Sequence, residues 1–380
     1  MSECESKNIF HFQWILIYSM FLLAVSACTS QSHNSYPNKT QPMNPNNVAS
    51  MVWQGERYLW IGNSKGIARW DRSTRELEIF KDVDECPSVI ITYHPETIWC
   101  GATQYDGSTW YRFDLNLRQI IQDNDRTIWA GSAQGLMRFD SVRQKWDLVA
   151  KTTPHEPEPY VASAGNGIHL SLASSDGHLW FVSNDNPYKG TTRWTGTSHQ
   201  TFLLDEWGNS LMVPKLEATD GSVWGGGSDG LVARWDRNDW RTWHIKLGTA
   251  LPPISKILEA KDGAIWVRAE VDGVARWDGE NWQTWNRAAG IGNSSESSHL
   301  VLTSIILTAD DNVWVGTSKE GISRWDGQTW RTYTIADGLS SEKITALSKN
   351  PDGTLWTGTW GGGVNYYDPK TDRWHSFPEK

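Results

Sequence analysis

Short segments in which apolar and polar residues alternate recur through most of the chain, and turn residues separate them. The C-terminal unit shows the pattern clearly. Asp352-Gly353 marks a tight hairpin turn, the glycine-rich loop from Trp360 to Gly363 reverses the chain again, and Asp368-Pro369 begins a third turn. Four antiparallel strands are predicted around these turns, at Ile344 to Ser348, Leu355 to Gly358, Val364 to Tyr367 and Trp374 to Phe377.

The same unit repeats along the chain. A hydrophobic residue followed by tryptophan marks each copy, and these tryptophans are Trp60, Trp99, Trp129, Trp180, Trp224, Trp266, Trp314 and Trp356. They lie 39 to 51 residues apart, except Trp99 and Trp129, which are 30 apart. Four strands in roughly 40–45 residues are typical of one β-propeller blade, because stacking blades around an axis buries both faces of each sheet. The sequence therefore predicts an all-β propeller of four-stranded antiparallel blades.

Two irregularities leave the number of blades open. The second repeat runs into the third without room for a separate fourth strand, so we expect Phe113 to Gln122 to serve both. The fourth repeat has an extended entry from Thr152 to Gly167. We predict eight blades, one of them thin, with seven blades and a fragment as the alternative.

The recurrent tryptophans are interpreted as architecture. An indole packed between neighbouring blades buries on the order of 150–250 Å², and recurrence at one strand position indicates such packing. An arginine precedes the aromatic residue of the next strand in most repeats and is expected to stack on a neighbouring indole. These arginines are Arg69, Arg112, Arg138, Arg193, Arg234, Arg276 and Arg324.

Composition agrees with this fold class and limits the function. The 380 residues include 25 Trp and 33 Gly but only 21% charged residues, which is typical of an all-β chain with many tight turns. The net charge is −9, and no cluster of Lys and Arg interrupts it. Such a surface repels phosphate backbones, so no nucleic-acid partner is expected.

An apolar run from Trp14 to Ala27 precedes the repeats and has the length of the hydrophobic region of a secretory signal. It ends in Val25-Ser26-Ala27-Cys28, which resembles the bacterial lipoprotein box, in which the cysteine is lipidated. Residues after Cys28 are rich in Ser, Asn, Gln and Pro, as in a flexible tether. We predict a signal peptide at 1–27, lipidated Cys28 and a tether at 28–47, and the propeller at 48–380. The predicted location is the bacterial cell envelope, periplasmic or extracellular, with an ordinary signal peptide or an uncleaved anchor as the alternative.

Two cysteines remain after Cys4 is assigned to the signal and Cys28 to the lipid. Cys100 lies in a strand beside Trp99, and Cys86 precedes a different strand. An oxidising compartment permits a disulfide, but residues so placed would not face each other in a simple hairpin. We predict two free or buried thiols.

The run GLSSEKITALSKNPDGTLWTGTWGGGVNYYDPKTDRW resembles the two-component regulator propeller repeat. That pattern is a Gly-Leu-Ser start, an alternating strand, Asp-Gly-x-hydrophobic-Trp-x-Gly, and Gly-hydrophobic-x-x-aromatic-Asp. The resemblance covers about residues 48–380. It implies an extracytoplasmic, ligand-binding sensor-type propeller, a class that often recognises carbohydrates and accompanies hybrid histidine kinases. No kinase segment follows in this chain, so a stand-alone lipoprotein is expected.

The sequence contains only weak matches to catalytic motifs. Two Gly-x-Ser-x-Gly matches, Gly62 to Gly66 and Gly226 to Gly230, lead into a further predicted strand, whereas a nucleophile elbow leads into a helix. The histidines show no metal-ligand spacing, so no metal or cofactor is expected. We expect a non-catalytic binding protein. The alternatives are a propeller enzyme of lyase or glycosidase type, as the Trp-rich streptogramin lyases are, and an interaction scaffold for envelope proteins.

Binding residues are sought where the repeat is broken, in the loops between second and third strands. Trp360 stands in a glycine loop where other repeats have polar residues, and it is the predicted stacking surface for a sugar or another planar ligand. Arg268 and Glu270 replace the usual glycine segment and place charge near the same face, with an ion pair between them as the alternative. Five further candidates are assigned to equivalent loops: Tyr105, Tyr188, Asp229, Lys319 and Glu320. The predicted partner is a carbohydrate or other small molecule, and an envelope protein is a second candidate.

Overall fold

Eight four-stranded antiparallel sheets make up the protein, and each contains four consecutive strands of the chain. The prediction of eight blades is confirmed, and no strand is shared between blades. The structure is a computed structural model, and it describes residues 47–81, 83, 85–86, 88–92, 96–152, 167–185, 190–202, 211–247, 251–293 and 299–377. The predicted signal peptide, Cys28 and the tether up to residue 46 lie outside the described residues.

Blades 1 to 4 occupy the N-terminal half of the propeller. Blade 1 consists of β1 Ser50–Gln54, β2 Tyr58–Asn63, β3 Gly66–Asp71 and β4 Glu76–Phe80. Blade 2 consists of β5 Val89–Thr92, β6 Thr97–Cys100, β7 Thr103–Tyr105 and β8 Trp110–Arg112. Blade 3 consists of β9 Leu117–Gln122, β10 Ile128–Ser132, β11 Gly135–Asp140 and β12 Lys145–Lys151. Blade 4 consists of β13 Ile168–Ala173, β14 Leu179–Ser183, β15 Gly190–Trp194 and β16 His199–Phe202.

Blades 5 to 8 complete the ring. Blade 5 consists of β17 Val213–Glu217, β18 Val223–Gly226, β19 Leu231–Trp235 and β20 Trp240–His244. Blade 6 consists of β21 Ile254–Glu259, β22 Ile265–Ala269, β23 Val274–Trp277 and β24 Trp282–Trp285. Blade 7 consists of β25 Leu302–Leu307, β26 Val313–Thr317, β27 Ile322–Trp325 and β28 Trp330–Tyr333. Blade 8 consists of β29 Ile344–Lys349, β30 Leu355–Thr359, β31 Gly363–Asp368 and β32 Arg373–Phe377. Single 3₁₀ turns at Arg287–Ala289 and Ile335–Asp337 lie in the connections after blades 6 and 7.

The first strand of every blade is the innermost one, and it contacts the first strands of the two neighbouring blades. The ring closes between blades 8 and 1, where β29 contacts β1. The backbone N–H of Val48 donates to the carbonyl of Thr359 at 3.2 Å, and the indoles of Trp53 and Trp356 pack with their ring centroids 5.2 Å apart. Closure therefore combines an aromatic contact with a hydrogen bond from the segment before β1.

Blade 2 corrects one prediction. Its fourth strand is Trp110–Arg112, and blade 3 begins separately at Leu117, so Phe113 to Gln122 does not serve both repeats. The blade fits because its strands have only three or four residues each. Arg112 lies in this fourth strand opposite Thr103, whereas Gln104 stands opposite Trp99. Arg112 is therefore not a member of the recurrent arginine set.

The marker tryptophans form the inter-blade cores, as predicted. All eight have at most 8% of their surface exposed. Trp314 of blade 7, for example, packs edge-on against Tyr367 of blade 8 with ring centroids 4.8 Å apart. Stacking of the recurrent arginines is confirmed at three positions: Arg69 over Trp60, Arg234 over Trp224 and Arg324 over Trp314, at 5.5 to 5.8 Å.

Glycine two residues after the marker tryptophan lets neighbouring blades approach closely. A Cβ on Gly316 would lie 2.5 Å from Cγ2 of Ile344, and one on Gly226 would lie 2.7 Å from Cγ2 of Ile254. Both isoleucines begin the first strand of the next blade. The Trp-x-Gly part of the repeat is thus a packing requirement at the blade junction.

Cys86 and Cys100 form a disulfide, with Cα atoms 5.3 Å apart, so the prediction of free thiols is wrong. Cys100 ends β6 and pairs with Val89, which begins β5. The chain entering β5 passes this end of the blade, and Cys86 is held there because its N–H donates to the carbonyl of Asn63 at 2.6 Å. The prediction considered the hairpin alone and omitted the segment that leads into it.

The propeller has two different faces. The Asp-Gly face carries the turns between strands 1 and 2 and between strands 3 and 4 of each blade, including Asp220-Gly221 and Asp278-Gly279. The loop face carries the turns between strands 2 and 3 and the connections between successive blades. None of the described segments forms a helix with the length and hydrophobicity needed to cross a bilayer.

Candidate functional site

Among the described residues of the loop face, Trp360 is the large aromatic side chain that is exposed to solvent. It follows β30 in the turn to β31, and 53% of its surface is exposed. The marker tryptophan of the same blade, Trp356, is 5% exposed. The two indoles therefore have different roles although only three residues separate them.

Hydrogen bonds fix the backbone of this loop. The N–H of Trp360 donates to the carbonyl of Lys343 at 2.8 Å, and its carbonyl accepts from the hydroxyl of Ser341 at 3.0 Å. The N–H of Gly361 donates to Oδ1 of Asn47 at 3.1 Å. The loop is held by the connection from blade 7 and by the segment before β1, so the exposed indole stands on a fixed support.

Three of the other loop candidates lie where the sequence placed them. Asp229 is exposed, with a left-handed backbone (φ 54°) that a turn aspartate tolerates. Lys319 is exposed in the turn after β26. Glu320 is engaged in the fold: it accepts from Nη2 of Arg287 at 2.6 Å and from the N–H of Asn293 at 3.0 Å. Glu320 therefore anchors the connection between blades 6 and 7.

Tyr105 does not lie in a loop between second and third strands. It ends β7 at the Asp-Gly face, is 8% exposed, and donates its hydroxyl hydrogen to the carbonyl of Gly107 at 2.8 Å. Its ring packs against Trp110 with centroids 4.9 Å apart. The placement failed because β6 is short: β7 begins four residues after Trp99, whereas β3 and β11 begin six residues after Trp60 and Trp129. Tyr188 lies outside the described residues.

Arg268 occupies the position at which Gly226, Gly316 and Gly358 allow blades to approach. It lies in β22, and its Nη1 donates to the carbonyl of Leu302, the first residue of β25. Its buried Nε has no hydrogen-bond partner among the described residues. Burial lowers the pKa of Arg268 to about 10, an effect that the charge of Glu270 partly offsets.

Two lysines that the sequence reasoning missed lie beside Arg268. Lys215 is in β17 and Lys256 is in β21, the innermost strands of blades 5 and 6, which contact each other. Lys256 pairs with Arg268 in the strand register. Burial, together with the positive charges of Lys256 and Arg268, lowers the pKa of Lys215 to about 8, and the charge of Glu270 partly offsets this effect. The available signal was a lysine within the first strand of each of these two blades.

Glu270 supplies negative charge to this group without a direct contact. Its side chain is exposed at the start of the loop after β22. Its backbone N–H donates to the carbonyl of Pro253 at 2.9 Å, and its carbonyl accepts from the N–H of Leu302 at 3.0 Å. Within the described part of the chain, Glu270 makes no ion pair with Arg268, so the alternative interpretation of these two residues is not the observed one.

A second polar group lies on the inner strands of blades 3 and 4. Arg118 of β9 contacts Nε2 of His169 of β13. Burial lowers the pKa of Arg118, and the charge of Asp185 opposes this effect. Asp185 is fully buried and accepts a hydrogen bond from the N–H of Gly167. This group contains a buried acid, in contrast to the lysine-rich group of blades 5 and 6.

The contacts described above give little support for a catalytic site. Ser64 and Ser228 of the two Gly-x-Ser-x-Gly segments lie in turns between strands, without the helix of a nucleophile elbow. Among the residues with described positions, no group of three His, Cys, Asp or Glu side chains is arranged to hold a metal ion. A cleft of about 600 Å³ opens on the Asp-Gly face between blades 2 and 3, and its charged lining residues are Asp106, Arg126, Arg138 and Asp140.

Comparison with known proteins gives likeness of fold only. No family model and no curated protein matches the chain. A streptogramin B lyase structure matches with a TM-score of 0.51 and 13% identity, covering 86% of this chain and 94% of the lyase. At that identity the match establishes a shared fold and nothing about activity.

Other matching structures are more distant in geometry. The extracellular domain of a putative hybrid two-component system from B. thetaiotaomicron is 15% identical, with a TM-score of 0.35 over 92% of this chain. The virginiamycin B lyase from Staphylococcus aureus is 12% identical, with a TM-score of 0.49 over 84% of this chain and 94% of the lyase. This chain spans 56% of the two-component domain, little more than half of its length.

Proposed function

We propose that this protein is a non-catalytic, ligand-binding propeller of the sensor type that recognises a carbohydrate on its loop face. The observation that carries the proposal is the exposed indole of Trp360 on a loop whose backbone is fixed by hydrogen bonds. A sugar ring presents an apolar face of C–H groups that packs on an indole, while its hydroxyl groups bond to polar neighbours. Ser340, Ser341 and Lys343 in the adjoining connection supply such polar groups.

A fixed support strengthens binding by this indole. Ordering a mobile aromatic side chain and its loop on binding would cost free energy, and a loop already held in place avoids most of that cost. An exposed indole on a loop that is already held in place offers a surface on which a sugar ring can stack. The repeat does not require an aromatic residue here, since Ser228 and Lys319 occupy corresponding loops.

The proposed location is the bacterial cell envelope, with the propeller anchored through lipidated Cys28. The support is the sequence alone: an apolar run of signal-peptide length that ends in Val25-Ser26-Ala27-Cys28. Mass spectrometry of the mature protein tests this proposal. We expect an N-terminal diacylglyceryl-cysteine peptide beginning at Cys28 and its loss in Cys28→Ser; an unlipidated N-terminus elsewhere would contradict it.

A lyase or glycosidase activity receives less support. His169 lies on an inner strand, but its Nε2 contacts the guanidinium of Arg118. His299 faces Asp272 with Nδ1 3.3 Å from Oδ2, in the connection between blades 6 and 7. Neither histidine lies in a loop between second and third strands. We therefore keep ligand binding as the proposed function.

The test is a glycan-array screen of purified residues 29–380, followed by calorimetric titration of each positive glycan. Trp360→Ala is the test variant, and Tyr111→Ala is the matched control. Tyr111 is 37% exposed on the outer strand β8, away from the loop face. We expect Trp360→Ala to weaken binding about tenfold or more, because one stacking contact contributes roughly 1–2 kcal/mol. Tyr111→Ala should bind as the unmodified protein does.

Two results would contradict the proposal. If no glycan binds, the carbohydrate hypothesis fails for those tested, and a protein partner in the envelope becomes the favoured alternative. If a glycan binds equally well to Trp360→Ala, the ligand uses another part of the propeller. Turnover of a bound glycan, detected by mass spectrometry of the titrated sample, would replace the binding proposal with an enzymatic one.

A further inference from the structure

Blades 5 and 6 bring an excess of positive charge to the innermost strands. The cationic cluster comprises Lys215, Lys256, Arg268 and Glu270. Lys256 and Arg268 are register partners on adjacent strands, and Lys215 lies on the neighbouring inner strand. Three cations and one carboxylate give the cluster a net charge of +2 when all four groups are ionised. Among the eight repeats, only blade 6 has a basic residue two positions after the marker tryptophan.

This charge is not neutralised by contacts that the structure describes. The ammonium groups of Lys215 and Lys256 form no hydrogen bond or ion pair with a described residue, and the Nε of Arg268 is buried without a partner. Lys256 is exposed, whereas Lys215 and Arg268 are partly buried, and desolvation of a partly buried cation costs free energy unless an opposite charge or an acceptor compensates it. Like charges placed close together add to that cost. The cluster is therefore arranged for a negative group that the chain itself does not supply.

A structural role explains these residues poorly. At the Arg268 position the repeat uses glycine, because the next blade packs directly against it. Buried apolar residues occupy other inner-strand positions, as Ile305 does in β25 and Ile120 does in β9. A glycine in place of Arg268 and an apolar residue in place of Lys215 would give the same blades without desolvating these two charges. The cations depart from the packing pattern of the repeat, and such departures are expected where a binding site has been added to a scaffold.

We propose that Lys215, Lys256 and Arg268 form a binding site for an oxyanion, carboxylate or sulfate, carried by an acidic saccharide. Arg268 offers its Nη2 group to an anion, because its Nη1 donates to the carbonyl of Leu302 and its Nε is buried. The two ammonium groups add charge without a fixed direction. The site lies on the same side as the loop face, because Arg268 is one residue before the end of β22 and Glu270 follows that strand. Assignment of the oxyanion to a saccharide rests on the proposed function; anion binding at the cluster does not.

The experiment compares three probes by calorimetric titration at pH 7: trigalacturonate, neutral galactotriose and inorganic sulfate. The test variants are Lys256→Met and Lys215→Met, and thermal melting of each variant checks that it is folded. Lys65→Met is the matched control, because Lys65 is an exposed lysine in the loop between strands 2 and 3 of blade 1. Trp360→Ala is titrated in parallel to separate the two proposals.

We expect trigalacturonate to bind more tightly than galactotriose, with added sodium chloride weakening the binding of the acidic probe. Lys256→Met and Lys215→Met should each weaken trigalacturonate binding about tenfold or more, as loss of a hydrogen bond to a charged group does. Lys65→Met should change it less than about twofold, as expected for an exposed charge outside the site. This result would support an acidic-saccharide site at the cluster.

Other results separate the two proposals. If sulfate binds, Lys256→Met abolishes its binding, and Trp360→Ala leaves every probe unaffected, the anion site is supported and the proposed sugar-stacking role of Trp360 fails. If galactotriose and trigalacturonate bind equally well and both depend on Trp360 alone, the sugar role is supported and the anion site is overturned. The anion site is also overturned if neither acidic probe binds, or if both bind equally to the folded lysine variants.

Discussion

Charged side chains are paired in different ways on the two faces of the propeller. On the Asp-Gly face, one oxygen of Asp220 accepts from the N–H of Ser222 at 2.8 Å, and the other accepts from Arg234 at 2.8 Å. Asp262 repeats the arrangement, with Arg276 at 2.6 Å. Each of these carboxylates closes a turn of its own blade and pairs with an arginine of the same sheet. Charge on this face is therefore balanced locally and repeatedly.

Among the described residues, the charged side chains of the loop face show no such repeated pairing. Its connections range from four residues between Arg112 and Leu117 to sixteen between Lys151 and Ile168. The basic residues of the cationic cluster come from two blades and form no ion pair with a described residue. Trp360 is exposed to solvent, whereas the marker tryptophans are packed between blades. A contact that recurs from blade to blade indicates selection for a stable scaffold. A residue that departs from the repeat costs stability, and its presence indicates selection for binding.

The largest effect should come from the tryptophan that belongs to the scaffold. Trp314→Ala removes an indole that is 2% exposed and packs against Tyr333, Tyr367 and Trp374. We expect a loss of about 3–5 kcal/mol in the free energy of unfolding, through lost burial and the cavity left behind. Trp360→Ala should change stability by less than about 0.5 kcal/mol, as surface substitutions do. Thermal or denaturant unfolding of both variants measures the difference.

A large stability loss in Trp360→Ala would contradict the division between the faces. It would mean that the exposed indole packs on the loop face as the marker tryptophans pack inside. Equal, small losses in both variants would show that the inter-blade aromatic contacts contribute little. The first result would remove the basis for treating Trp360 as a binding residue.

The second effect concerns the covalent link at the loop end of blade 2. The disulfide between Cys86 and Cys100 closes a loop with a sequence separation of 14. Cross-linking such a loop stabilises by about 3 kcal/mol, chiefly by limiting the unfolded chain. We expect Cys86→Ala with Cys100→Ala to lower the melting temperature, and dithiothreitol to lower that of the unmodified protein similarly. Dithiothreitol should leave the double variant unchanged; a further decrease there would show that reduction acts elsewhere.

The fold was largely predictable because its determinants are local and repeated. Asp-Gly turns, alternating strands and the marker tryptophans each recur at nearly fixed spacing, and all eight marker tryptophans are buried as predicted. The strands of blade 2 were predicted incorrectly because short strands form the same four-stranded sheet in fewer residues. The disulfide escaped because Cys86 reaches Cys100 through a connection, whose course depends on contacts with Asn63 of another blade.

The candidate site was predictable only in part. Trp360, Arg268 and Glu270 break the repeat at positions that an alignment of its copies exposes. Lys215 and Lys256 lie at non-equivalent positions of two inner strands, because register shifts occur at different points: after Pro214 in β17 and after Ile254 in β21. Sequence spacing does not show that these residues meet. Their proximity follows from the arrangement of blades around the axis.

The third prediction tests the desolvated charge directly. Replacing Lys215 by methionine should raise the free energy of unfolding at pH 7 by about 2–3 kcal/mol, since a pKa of about 8, against 10.5 for an ordinary lysine, measures the cost of burying the charge. An oxyanion ligand should stabilise the unmodified protein but not Lys215→Met. Stability curves of both proteins, with and without sulfate, provide the measurement.

The pH dependence of this effect has a definite sign. The folded-state pKa of Lys215 lies below the unfolded value, so the unfolded state binds more protons between about pH 8 and pH 10.5. The unmodified protein should therefore gain stability relative to Lys215→Met as pH rises through this range. The advantage of the methionine variant should be largest at pH 7 and small near pH 10.5. A difference that does not change with pH would show that the lysine is not desolvated.

The smallest effect compares one carboxylate from each face. Asp262→Asn keeps an acceptor for the N–H of Ala264 but removes the charge that pairs with Arg276. The Asp262 side chain is 57% exposed, so we expect a loss of only about 0.5–1 kcal/mol. Asp229→Asn on the loop face should be neutral within about 0.3 kcal/mol, because asparagine tolerates the left-handed backbone equally well.

Both aspartate variants should be melted at low and at high ionic strength. Added salt should reduce the effect of Asp262→Asn, because it screens the ion pair with Arg276 in the unmodified protein. Equal losses for Asp262→Asn and Asp229→Asn would mean that general surface charge, and not the repeated turn, stabilises the Asp-Gly face. A salt-sensitive loss of stability in Asp262→Asn alone would show that the repeated ion pair stabilises the scaffold. It would also show that Asp229 on the loop face is not needed for stability and can differ according to the ligand.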